Sequence, residues 1–182
     1  MIASRTLHRR GLRLLLLCSL VSAAPVFAQD EPSIEVTFSP EGGATEAIIH
    51  LIEDAQTSIR LAAYSFTSRP IAEALAEAHK RGVDVRAVLD ASNETDRFTV
   101  ANILAEADVP IRADHRYAAM HNKFLVIDGA DVETGSFNYT RSAEKHNAEN
   151  AMILRGYPKV AGEYQNRWQV LWDESETFRP SR

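Results

Sequence analysis

Met120-His121-Asn122-Lys123-Phe124-Leu125-Val126-Ile127-Asp128-Gly129, followed after a short return by Gly135-Ser136-Phe137-Asn138, is the stretch that decides the reading of this chain. Lys123 to Ile127 is strongly strand-like, with β-branched and aromatic residues in an apolar run. Asp128-Gly129 is a turn dipeptide, so the chain returns through Asp131 to Thr134 as the second arm of an antiparallel hairpin. Side chains alternate faces along a strand. His121 and Lys123 therefore share a face, while Asp128 has the opposite parity, sits at the turn and is not expected to join them. Ser136 and Asn138, again two apart, face together. An imidazole, an ammonium, a hydroxyl and an amide on adjoining strands make an anion site, with Lys123 neutralising charge and Ser136 and Asn138 donating hydrogen bonds. A histidine beside such donors suits phosphoryl chemistry, where oxygens must be neutralised in the transition state.

Upstream, strands and helices alternate. Residues 34–38 predict a strand and 45–56 a helix, with Ala47, Ile48, Leu51, Ile52 and Ala55 at helical spacing. A second strand is expected over 58–66, and a helix from Pro70 to Lys80 that stops at Gly82. A third strand over 83–89, a helix over 95–107 and a short strand over 109–113 follow. Beyond the hairpin come a short helix over 140–146, the strand 151–154 and an amphipathic helix over 160–172. The expected fold class is α/β, a mixed β-sheet flanked by helices on both faces, in a single domain over residues 29–182.

Residues 1–28 stand apart. Arg5, Arg9, Arg10 and Arg13 precede the apolar run 14–21, and small residues lead to Val26-Phe27-Ala28. That pattern predicts a cleaved signal peptide, hence a secreted and periplasmic product with no stable membrane anchor after cleavage. The sole cysteine, Cys18, lies in this segment, so the remaining chain has neither disulfides nor thiolate ligands. The whole chain carries a formal charge of −5; removing the segment leaves 16 basic against 25 acidic residues, a charge of −9. Nucleic-acid binders are usually basic, so attraction for a polyanion must here be local. The window from Arg112 to His146, with Arg112, Arg116, Lys123, Arg141 and Lys145, is neutral, so positive charge is comparatively concentrated near the motif; a shared groove and scattered solvated charge both fit that placement.

The pattern His121-x-Lys123-x4-Asp128-x6-Gly135-Ser136-x-Asn138 resembles the HKD motif of the phospholipase D superfamily. Residues 133–140 and Asn147-x-Glu149-Asn150 look most like its bacterial single-motif branch of exported endonucleases. The resemblance implies a phospholipase D/nuclease-like fold, with His121 as the nucleophile of a phosphohistidine intermediate and Lys123, Ser136 and Asn138 as phosphate-holding groups. It further implies that Glu149 orients the histidine through its other ring nitrogen, and that Asp128 and Gly135 are structural members of the motif.

A covalent route to phosphodiester cleavage needs one nucleophile and one acid for the leaving oxygen. One chain supplies one such histidine, so a two-fold homodimer with a shared active site is expected. No H-E-x-x-H, cysteine–histidine cluster or EF-hand spacing is visible, so neither metal nor cofactor is expected. The leading expectation is a non-specific endonuclease with nucleic acid as substrate. Phospholipase D action on a phosphatidyl lipid is the alternative, and an inactive phosphate-binding module is a third. Among other polar and aromatic residues, His50, His79, His115 and His146 read as surface or helix positions, and Asp90 as a turn or cap residue. Trp168 and Trp172, four apart, read as packing on one helical face. Tyr64, Phe66 and Tyr117 are weaker candidates for the cleft wall.

Overall fold

A computed structural model describes residues 31–179; the segment read as a signal peptide lies outside the described residues. In chain order the elements are β1 (Ser33–Ser39), α1 (Ala44–Asp54), β2 (Ser58–Ala63), α2 (Arg69–Lys80), β3 (Asp84–Asp90), a 3-10 turn (Ala91–Glu94) and α3 (Ala101–Glu106). There follow β4 (Ile111–Asp114), β5 (Lys123–Ile127), β6 (Asp131–Gly135), α4 (Arg141–Lys145), β7 (Glu149–Arg155), α5 (Pro158–Glu174) and β8 (Glu176–Thr177). All eight strands join one sheet in the order β1-β7-β6-β5-β2-β3-β4-β8. β2, β3 and β4 run parallel, and the other neighbours pair antiparallel.

Helices cover both faces, because the central strands carry apolar residues on both sides. In β5, Leu125 and Ile127 enter one apolar layer and Phe124 and Val126 the other. The first layer is closed by α1 and α2, whose buried residues Ile48, Leu51, Ile52, Ile71 and Leu75 fall at helical spacing. The second is closed by α5 through Ala161, Trp168 and Leu171. Trp168 Nε1 donates to Leu61 O at 2.8 Å, and the Trp168 and Trp172 rings stack at 5.0 Å, so this pair packs the helix onto the sheet.

Three segments depart from the sequence pattern. The helix expected over 95–107 is reduced to the short α3, with turns over 95–98 in place of its first half. Short polar side chains capture backbone donors here: Asp90 accepts from Ser92 N, Asp96 from Phe98 N and Thr99 from Ala101 N. The second strand ends at Ala63 instead of running to Phe66, because Tyr64 N turns to Asn122 O and Phe66 bridges to Tyr139. β8 carries no apolar alternation and was not expected.

The register places the ends of β2, β3 and β6 beside the beginnings of β5 and β7, at one end of the sheet. Ligands of open α/β sheets gather where strands end and the strand order changes sense. Here that is the boundary between the parallel β2 and the antiparallel β5.

Candidate active site

His121 stands just before β5 and is held on both sides. Met120 N donates to Asp90 Oδ2 at 2.8 Å, and Asn122 O accepts from Tyr64 N at 3.0 Å. Asn93, buried beside Asp90, donates to Tyr64 O at 2.7 Å and accepts from Phe66 N at 3.2 Å. The 3-10 turn after β3 thus clamps the histidine segment and the Tyr64 segment together. The Tyr64 ring lies 4.5 Å from the His121 ring, centroid to centroid.

Lys123 is buried, and its Nζ lies 2.9 Å from His121 Nδ1, 3.0 Å from Nε2 and 2.9 Å from His121 O. An ammonium only donates, so the imidazole edge facing it serves as acceptor. Burial holds the Lys123 pKa below its ordinary value, while the Glu149 charge works in the opposite direction. The aromatic face of Tyr64, 5.2 Å from Nζ, adds a further cation contact.

The second pair is delivered by the end of β6. Gly135 is required there, because a Cβ would run into Asn150 O on β7. The same carbonyl accepts from Ser136 N at 3.0 Å and Phe137 N at 3.2 Å. Ser136 Oγ accepts from Asn150 N at 3.1 Å, which leaves its own proton free to donate. Among the described residues, Asn138 Oδ1 is buried without a partner and Nδ2 makes no hydrogen bond, and the side chain lines the cavity. His121, Lys123, Ser136, Asn138 and Glu149 line one cavity of about 500 Å³. Glu149 Oε1 accepts from Asn147 Nδ2 at 2.9 Å; among the described residues no hydrogen bond joins Glu149 to the His121 ring.

Asp128 lies at the far end of β5, as its parity requires. Its carboxylate accepts from Gln56 N, Thr57 N, Thr57 Oγ1 and Ser58 N at 2.7–2.8 Å, tying the hairpin turn to the entry of β2. Desolvation pushes its pKa up, but these bonds outweigh that and hold it below the ordinary value.

Three cavity-lining residues carried no sequence signal. Tyr164 arrives from α5, where it reads only as one more residue of an amphipathic helix, and its hydroxyl donates to Thr134 Oγ1 at 3.2 Å. Phe124 sits edge-on to Tyr164 with ring centroids 5.0 Å apart. Of the aromatic candidates, Tyr64 touches His121, Phe66 is core, and Tyr117 bonds Glu174 at 3.1 Å. His115 pairs with Glu94 at 3.1 Å.

An imidazole and an ammonium in contact, facing hydroxyl and amide donors at the end of a mixed sheet, form a site chemically suited to phosphoryl oxygens. Comparison with known proteins narrows that chemistry. Residues 48–172 match the family model described as cardiolipin synthase, PLD-like domain. The phospholipase D of Rickettsia prowazekii is 38% identical over 136 residues, covering 75% of this chain and 66% of that protein. The mitochondrial cardiolipin hydrolase of Xenopus laevis is 37% identical over 66% of this chain and 57% of its own length. The crystal structure of Nuc, a phospholipase D family member from Salmonella typhimurium, superposes with a TM-score of 0.79 at 42% identity, covering 82% of this chain and 99% of Nuc. NucT from Helicobacter pylori shares the fold, with a TM-score of 0.73 at 22% identity. This chain belongs to the phospholipase D superfamily.

Proposed function

We propose that this chain is a metal-independent phosphodiesterase, most simply an endonuclease acting on nucleic acid after export to the periplasm. The observation that carries the reading is the contact of His121 with Lys123 inside a cavity whose other donors are Ser136 and Asn138. His121 attacks phosphorus and the alcohol oxygen leaves with a proton, giving a phosphohistidine that water then hydrolyses. Lys123 and Asn138 take the charge-neutralising part that a metal plays elsewhere. The charge of Glu149 favours the protonated form of Lys123, partly offsetting the larger effect of burial.

The leaving oxygen needs an acid, and a second His121 supplies it if two chains meet at their pocket ends. The surface beside the pocket supports that meeting. β1 is an edge strand whose Ile34, Val36 and Phe38 are 55%, 51% and 64% exposed, a continuous apolar stripe on the face that α5 covers elsewhere. Phe38 pairs with Asn150, next to Glu149 in the cavity wall. A second copy packing on this stripe would bring the two pockets together, whereas edge-to-edge pairing of antiparallel β1 strands would carry them to opposite ends.

Two observations favour nucleic acid over lipid. The cavity offers Phe124 and Tyr164 as its large apolar groups, among the polar side chains of Asn122, Thr134, Ser136 and Asn138. Arg141 and Lys145, exposed on α4 immediately after the Ser136–Asn138 segment, are in no salt bridge among the described residues, whereas Arg112 packs on Trp172 and Arg116 pairs with Glu174. The names of the Rickettsia relatives favour phospholipase D action as the second reading. Plasmid DNA, RNA and phosphatidylcholine, each assayed in excess chelator on protein of known oligomeric state, test both. Nucleic-acid cleavage by a dimer is expected, with activity and dimer lost together in Phe38→Glu. Lipid turnover without nucleic-acid cleavage reverses the order, and loss of all activity in chelator ends the metal-free mechanism.

A further inference from the structure

Glu133 is a carboxyl that the proposed chemistry does not use, yet it is completely buried, on β6 two residues before Gly135. Its Oε2 accepts from Tyr139 Oη at 2.6 Å, and its Oε1 is buried without a partner. Tyr139 is also fully buried and follows Asn138 directly. One side-chain hydrogen bond therefore spans the Gly135–Asn138 loop from just before it to just after it. The loop is otherwise anchored through backbone: its near end by Asn150 O, its far end by Tyr139 O, which accepts from Thr67 N at 2.9 Å and Ser68 N at 2.8 Å.

We propose that Glu133 and Tyr139 form a clasp that holds the Ser136 and Asn138 donors in place against His121 and Lys123, making both positioning residues of the phosphate site. The proposal rests on the phosphodiesterase reading for its activity arm only. A hydroxyl–carboxyl bond across a six-residue span fixes where the loop closes, and a buried polar bond is costly to leave unmade.

The clasp works with a neutral carboxyl. Burial pushes the Glu133 pKa up to about 8, with the Tyr139 bond pulling slightly the other way. Its cross-strand neighbours are Leu125 on β5 and Ile153 on β7, and the buried residues of α1 and α2 over this layer are apolar. Among the described residues Tyr139 is the one titratable group that bears on it, and its own pKa is raised well above the ordinary range, so it cannot share the transition. An ionised Glu133 has one donor and no counter-charge, so losing its proton drives the loop to rearrange toward water.

The test uses the intact chain. In isotope-labelled protein, the Glu133 carboxyl carbon is expected to titrate near pH 8, and the Ser136 and Asn138 amide signals to move with the same midpoint. Glu133→Gln, whose amide oxygen still accepts from Tyr139, should abolish that shared transition and the alkaline loss of activity tied to it. Tyr139→Phe should move the carboxyl midpoint upward and lower kcat/KM on bis(4-nitrophenyl) phosphate at neutral pH by about tenfold. Loop signals that stay still through the carboxyl titration overturn the clasp, as does a Tyr139→Phe enzyme with unaltered kcat/KM. Should the unmutated protein hydrolyse no diester, the phosphodiesterase reading fails, while the spectroscopic arm still decides whether Glu133 governs the loop.

Discussion

The two ends of β5 belong to one sequence motif and do opposite things. At its start, His121 and Lys123 face a cavity, with Ser136 and Asn138 presenting donors that no acceptor among the described residues takes up. At its end, Asp128 accepts four hydrogen bonds and offers nothing more. The contrast separates structure from chemistry by hydrogen-bond accounting. A polar group saturated by its own chain holds the fold, and a polar group held in place but left unsatisfied is available to a ligand. Strand parity separates Asp128 from His121 and Lys123, and satisfaction says which of the two ends is open to a ligand.

The strongest way to break the comparison is to remove the imidazole. His121→Ala deletes the proposed nucleophile and its contact with Lys123 Nζ, while the segment stays held through the backbone of Met120 and Asn122. Turnover of bis(4-nitrophenyl) phosphate should fall by roughly a thousandfold or more, with unfolding midpoint and oligomeric state unaltered. A variant that unfolds, or one that keeps its turnover, would place His121 with Asp128 on the structural side.

Much of this division was legible in sequence. Alternation along 121–127 put His121 and Lys123 together and sent Asp128 elsewhere, because strand parity is strict and the hairpin turn is short. The alternation of strands and helices gave the layered sheet, because apolar spacing reports directly on which faces are covered. What escaped were contacts set by tertiary placement. Tyr164 reaches the cavity, and its bond with Thr134, only once α5 is laid across the sheet. Asp90 looked like a turn residue and is one, yet its second oxygen also holds Met120 N, thirty positions away in sequence. Glu133 and Tyr139 lie six apart on either side of a loop, with no periodicity to link them. The helix expected over 95–107 failed because aspartate and threonine side chains competed for backbone donors that an apolar pattern does not register.

Asp128→Asn probes the other end and should invert the outcome. The amide cannot accept all four donors, and its own N–H₂ would point at backbone N–H groups. Stability should drop by about 2–3 kcal/mol, the scale of charge-assisted bonds, while kcat per folded molecule stays close to the unmutated value. The pH dependence has a fixed sign. Because the folded pKa lies below the ordinary 3.8, the carboxylate's contribution is present above that value and is lost as pH falls through the folded one. Denaturant midpoints measured down an acid series should therefore fall less steeply for Asp128→Asn than for the unmutated chain. Equal slopes would mean the carboxylate is not the acid-sensitive group at this end.

Thr57→Val gives the smallest expected effect and the finest resolution. It removes the Thr57 Oγ1 donor, 2.7 Å from Asp128 Oδ1, and leaves the backbone donors of Gln56, Thr57 and Ser58 in place. With three of four bonds retained, the loss should be only about 0.5–1.5 kcal/mol, with no change in kcat. Thr57 and Asp128 share a bond, so the double variant should lose less than the two single losses combined. Strict additivity would show that the hydroxyl supports the β2 entry by another route. The turn end would then be a set of separate bonds, not one carboxylate satisfied as a unit.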